Sequence, residues 1–171
     1  MRTDIEDRAG IIGHGNVELW DRGVLLYRED FRNLITANGD KVYGERGAGI
    51  GSVAAPTGMH LGSASTAVAK TGAGSFITTY ISGSNVGFVA TYPTSTKPAS
   101  ARRIYYRAAW GPGIAQVANI REIALVNKAI GTNAGATEVE TIARVVLGAN
   151  IDKTSGTATL YVNWYHDLLG A

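Results

Sequence analysis

Three histidines, His14, His60 and His166, are the residues best suited to acid–base or metal chemistry, and their spacing points to neither. A zinc-binding helix carries its histidines four apart on one face, and no such pair occurs here. His166 stands beside Asp167 and reads as a polar cap on the last strand or as a contact between subunits. Glycoside hydrolysis needs two carboxylates facing each other across a cleft. Glu18, Glu122, Glu138 and Glu140 are candidates, but no local pattern favours a pair among them. Arg121 and Glu122 follow each other inside an apolar run, so they project to opposite faces of a strand. One of them is expected to meet a partner inside the fold or across an interface, as a structural ion pair. The Gly47-Ala48-Gly49-Ile50-Gly51 cluster has the wrong spacing for a dinucleotide fingerprint. Lys70-Thr71 lacks the preceding glycines of a phosphate loop, and no Gly-x-Ser-x-Gly elbow occurs. The chain also has no cysteine, which removes thiolate chemistry and disulfides. No enzymatic activity, no cofactor and no metal are expected.

Arginines and aromatic rings are the other groups that carry chemistry. Arg102, Arg103 and Arg107 form the nearest thing to a basic stripe, yet the net charge is only +2. That is too little for a nucleic-acid footprint, and the three read as a solvated or interfacial strand edge. Aromatics concentrate in the second half of the chain. Alternation along the strands places Trp110 and Trp164 in the core. Tyr105 and Tyr165 then fall on the opposite faces of their strands, as interface candidates with Arg107.

The elements that must position these groups are short and β-rich. Twenty-two glycines in 171 residues amount to about 13%, nearly twice the usual ~7%. Glycine weakens helices and serves turns and bulges. Asn16–Trp20 and Val24–Tyr27 alternate as strands around the turn Asp21-Arg22-Gly23. Thr36 or Asn38 caps a short helix running to Tyr43, and residues 44–56 read as a loop. Further strands are expected at Met59–Gly62, Phe76–Ile81, Val86–Tyr92, Arg103–Trp110, Ala115–Asn127, Val139–Leu147 and Thr157–Tyr165. The result is an all-β fold, an antiparallel sandwich or jelly roll of about eight strands with one or two short helices. Residues 1–10 read as an extended arm and residues 11–171 as one domain. No run of ~18 apolar residues exists to span a bilayer, so no membrane partner is expected.

Several stretches together resemble small β-rich virion structural proteins of tailed bacteriophages, in the right order from Val17 to Trp164. Val17–Gly23 followed by Asn33-Leu34-Ile35-Thr36-Ala37-Asn38-Gly39 is similar to their opening. Met59-His60-Leu61-Gly62-Ser63-Ala64-Ser65-Thr66-Ala67 is similar to their "M-x-L-G-x-G-x-T-A" segment, with Ser63 where glycine is common. Arg121–Asn127 resembles their glutamate-bearing strand, with Ala124 where glycine often stands. Ile142–Leu147, Asp152-Lys153 and Leu160–Trp164 are similar to their close. The resemblance implies a non-enzymatic capsid cement or decoration protein, placed in the virion after assembly in the host cytoplasm. A tail-fibre-base or tail adaptor protein and a glycan- or receptor-binding module are the alternatives. The implied partners are the major capsid protein or tail proteins, and further copies of the chain in a homo-oligomer. Specific nucleic-acid binding is not implied. The interface candidates are Arg2, Asp4, Arg8, Tyr105, Arg107, Arg121, Glu122, Tyr165 and His166. Deleting residues 2–10 is expected to abolish particle binding while the domain still folds; incorporation at the normal level would exclude the arm as an attachment element.

Overall fold

The computed structural model describes residues 10–98 and 101–169. The chain is all-β. Among the described residues nine antiparallel strands form one curled sheet, with one α-helix and two short 3-10 turns. The strands are β1 (Gly10–Asp21), β2 (Val24–Ile35), β3 (Gly58–Gly62), β4 (Val86–Gly87), β5 (Thr94–Thr96), β6 (Ala101–Trp110), β7 (Ile120–Val126), β8 (Thr141–Ile151) and β9 (Thr159–Leu169). Their spatial order is β4-β3-β7-β8-β2-β1-β9-β6-β5. After Gly87 the chain leaves β3 for β6. Phe88 bridges Ala108, and the Val89 N–H donates to the Arg107 carbonyl at 2.8 Å. That switch curls the sheet back on itself around one core.

The β1–β2 hairpin turns at Arg22 and Gly23, both at positive φ (49° and 82°), the geometry of a tight hairpin turn with a right-handed strand twist. Along β1 the residues alternate, with Gly13, Gly15, Val17 and Leu19 inward. Trp110 and Trp164 are both fully buried, as their strand positions require. The inward faces of β1, β9 and β6 meet Met59, Leu61, Ile123, Leu125, Val145 and Leu147 from the other half of the sheet.

The two halves differ in what covers their outer faces. Strands β3, β7 and the first part of β8, residues 141–147, are buried on both sides, and every residue of β7 except Arg121 is buried. Hence the continuous apolar run Ile123–Val126, the pattern of a doubly covered strand. Outside it lie residues 63–85 and 127–137, packing Ile77, Tyr80 and Ala136 over Ala124 and Val126. A buried ion pair pins this cover. Arg144 donates from Nε and Nη2 to Glu122 Oε2 at 3.0 and 2.5 Å, and from Nη1 and Nη2 to the Gly74 and Thr66 carbonyls, each at 2.9 Å. Glu122 Oε1 accepts the Ala64 N–H at 2.7 Å. Gly62 makes room for this, since a Cβ there would lie 2.4 Å from Ile77 Cγ2.

Several elements differ from the expectations. Phe76–Ile81 is not a strand: it serves as cover and pairs with β3 by one bridge, Tyr80 to Gly62. Val86–Tyr92 is not one strand: Val86 and Gly87 pair with β3 and Phe88 bridges β6, because the segment divides between the two. Residues 115–119 form a loop that Lys153 ties down, its backbone N–H donating to the Val117 carbonyl at 2.8 Å and its ammonium to the Gly111 and Ile114 carbonyls just before, at 2.9 and 2.8 Å. Val139 lies in a 3-10 turn ahead of β8. Helix α1 (Ala37–Ala48) continues past Tyr43 despite Gly44 and Gly47, both of which face open space, and stops at Gly49 with φ 69°. Thr36 caps its start, accepting the Gly39 N–H at 3.0 Å. Residues 94–96, outside the expected strands, form the edge strand β5. Gly10, assigned to the arm, already pairs with Leu169; the rest of the arm, with Arg2, Asp4 and Arg8, lies outside the described residues.

Glu122→Gln removes the charge that neutralises the buried Arg144, and breaking such a pair typically costs about 3–5 kcal/mol. Urea unfolding checks this; a loss below about 1 kcal/mol would show that the pair is not what fastens the cover.

Candidate functional site: the outer face of strands β2, β1, β9 and β6

Among the described residues no loop cover lies over the outer face of the other half-sheet, and the strand registers order it into rows. One row runs Arg32, His14, Tyr165, Tyr105 and Thr94 across β2, β1, β9, β6 and β5. The next runs Asp30, Asn16, Asn163 and Arg107, and a third begins Arg28, Glu18 and Tyr161. On the other side, Ile12, Asp167 and Arg103 end the face.

These side chains are fixed against one another. The Tyr165 ring is stacked between His14, 5.2 Å away, and Tyr105, 4.6 Å away. Tyr92 meets the Tyr105 ring edge-on at 4.7 Å. Tyr105 Oη donates to Asn163 Oδ1 at 2.6 Å, and Asn163 Nδ2 donates to Asn16 Oδ1 at 2.8 Å. Arg103 grips Asp167 with both prongs, Nε to Oδ1 at 2.7 Å and Nη2 to Oδ2 at 2.8 Å. His14 Nε2 lies 3.2 Å from the same carboxylate. The Arg103 bonds, reinforced by His14, hold Asp167 below the ordinary carboxylate range against the opposing effect of burial. Arg107 lies over the Tyr161 ring at 5.0 Å. Glu18 accepts from Trp20 Nε1 at 3.0 Å and from Arg28 at 3.1 Å. A shallow cleft of about 530 Å³ opens beside His14, bordered by Asn16, Asp30 and Arg32.

Because Tyr165 has a ring on each side, the row offers a ligand ring edges and hydroxyls, with no open face of Tyr165 left for stacking. Sugars and bases stack on open ring faces. A pre-ordered surface of tyrosine and arginine is instead the composition of protein interface centres. A second exposed feature is the hairpin tip, where Val24, Leu25 and Leu26 are 59%, 42% and 56% exposed.

Of the residues singled out from the sequence, Tyr105, Tyr165 and Arg107 share this face. Arg121 is half-buried on β7, away from them. Two assignments are corrected. Glu122 is fully buried and its partner Arg144 is internal, so it has no surface to offer a neighbour. His166 is also fully buried, because inward positions of β9 alternate with Tyr165. It accepts the Trp164 indole N–H at Nε2 (2.8 Å), and its Nδ1 meets Tyr43 Oη at 2.6 Å. Turning the Asn33 amide replaces the indole by the amide nitrogen as donor, and Nε2 still accepts. Tyr43 Oη in turn meets Tyr106 Oη at 2.8 Å. Sequence reading missed His14, Asn16, Arg32, Arg103, Asn163 and Asp167 as one group. Their strand parity was available, but their adjacency depends on the order of strands far apart in the chain.

Comparison with family models, curated proteins and solved structures finds no match to this chain. Among the described residues, no helix is long and apolar enough to cross a membrane, and no cluster of three or more His, Asp or Glu is placed to hold a metal.

Burial pushes the His166 pKa down to about 3, and that of His60, which lacks a partner for either ring nitrogen, to about 4. The unfolded chain, with histidines near 6.5, binds more protons in this window. Stability contributed by the neutral rings is therefore complete above pH ~6.5 and lost as pH falls toward 3. The urea midpoint is expected to drop between pH 7 and pH 4, and His166→Gln to give a lower but flatter profile; an unchanged slope in that variant would contradict the assignment.

Proposed function

We propose that this chain is a non-enzymatic structural component of a tailed-phage virion, a capsid cement or decoration protein that stabilises the head through contacts with neighbouring subunits. The observation that carries the reading is where the resembling motifs lie in the fold. Met59–Ala67, Arg121–Asn127 and Ile142–Leu147 are far apart in sequence, yet they converge on one buried ion pair. Glu122 comes from the second and Arg144 from the third, while Ala64 and Thr66 of the first supply an N–H and a carbonyl to them. Lys153, from the closing motif, pins the loop before β7. A set of weak motifs that builds one structural unit is stronger support than the same motifs scattered over a surface. It supports a shared way of building the subunit, and the ordered Tyr/Arg face supplies a surface for docking. Many copies, each bound weakly, resist the outward pressure of packaged DNA through multivalency.

A tail adaptor would have the same fold, and a glycan-binding module would need open ring faces that Tyr165 lacks. Particles lacking the protein are expected to release DNA at a lower temperature, and adding back purified chain to restore the wild-type release temperature. Labelled protein found only at the tail would move the assignment there, and absence from purified particles would reject the virion role.

A further inference from the structure

Charge accounting on the outer face shows what it lacks. Four arginines, Arg28, Arg32, Arg103 and Arg107, share it with three carboxylates, Glu18, Asp30 and Asp167. Each carboxylate is already engaged. Asp167 is gripped by Arg103, Glu18 by Arg28 and the Trp20 indole, and Asp30 by Arg28 at 3.3 Å. Arg32 and Arg107 meet no carboxylate among the described residues. Arg107 is the more telling of the two. Its Nε is shielded from solvent and has no acceptor among the described residues, and its guanidinium rests on the Tyr161 ring. A shielded donor left without an acceptor is unfavourable until something supplies one.

We infer that this face docks a different protein surface carrying at least two carboxylates, which Arg32 and Arg107 receive while the Tyr105–Tyr165–His14 row packs between them. The two arginines stand on strands three steps apart, about 15 Å at the backbone from the ~4.8 Å strand spacing and one pair of rows. Carboxylates four residues apart on an extended segment span about 13 Å, a separation that long arginine side chains can bridge. A second copy presenting the same face does not fit, since its carboxylates are engaged and arginine would meet arginine. Nucleic acid fits poorly, because the net charge of the face, four arginines less three carboxylates, is only +1. All four cations are arginines, whose planar forks suit carboxylates better than lysine does. The pre-stacked rings lower the ordering cost of docking. The inference names the attachment surface of the proposed virion subunit, so it rests on that reading for its biological setting.

The test titrates the full chain with a short peptide of alternating glutamate and serine, and in parallel with a short DNA duplex. Saturable peptide binding is expected, weakened roughly fivefold by each of Arg32→Gln and Arg107→Gln. Arg46→Gln, at an exposed arginine of α1, is expected to leave it unchanged, and unaltered near-ultraviolet circular dichroism shows that the variants fold. In particles, the double variant Arg32→Glu, Arg107→Glu is expected to lower occupancy. Equal weakening by Arg46→Gln, tighter binding of the duplex than of the peptide, or full particle occupancy by the double variant would each overturn the inference. Peptide binding that depends on Arg32 and Arg107, in a protein absent from wild-type particles, supports the carboxylate-docking face and rejects the virion setting alone.

Discussion

The Glu122–Arg144 pair sits where β7, β8 and the cover of residues 63–85 come together, and the rest of the arrangement follows from its being fully satisfied. A charge buried without a partner is untenable, and a buried pair is neutral or costly unless hydrogen bonds occupy its remaining atoms. Here the spare donors of Arg144 go to the Gly74 and Thr66 carbonyls, and Glu122 takes the Ala64 N–H. The charges therefore act as a clamp with fixed geometry, which apolar packing alone would not impose on a cover made of small residues. Because the clamp holds loops over one half of the sheet, that half has no outer surface. Among the described residues the other half has no such cover, and its outward side chains are ordered by one another.

Edges tell the same story. Strand β5 is three residues long and flanked by Pro93 and Pro98, which blunt its free edge against pairing with another chain. On the opposite side, β4 hands the chain over to β6, so no long edge is left there. Sheet extension is thus discouraged by construction, and contact through a face is what remains.

The sequence showed strand parity more clearly than strand order. Period-two alternation in Arg103–Trp110 and Thr157–Tyr165 placed Trp110 and Trp164 inside and Tyr105 and Tyr165 outside, because one face of each strand is buried and the other wet. The same reasoning missed Phe76–Ile81 and Val86–Tyr92, whose β-branched and aromatic residues pack as cover or divide between two strands. Propensity reports how well a residue suits a half-buried surface and says little about whether a ladder forms there. His166 was misplaced although Trp164, two residues earlier on the same face, was correctly buried; a polar residue read as a surface residue overrode the parity rule. Glu122 was read as half of an ion pair, but its partner lies 22 residues away on the next strand, a distance that local pattern does not reach.

The sheet places β1 directly beside β9, so the two most distant strands of the chain form adjoining parts of one surface. Strands β1, β2 and β6 all precede β9 in the chain, so the Tyr105–Tyr165 stack and the Arg103–Asp167 grip await the arrival of β9. Long-range pairing of this kind forms late and slowly. The exposed face therefore does not exist until β9 has been made and has paired with β1 and β6, which ties the docking surface to completion of this sheet.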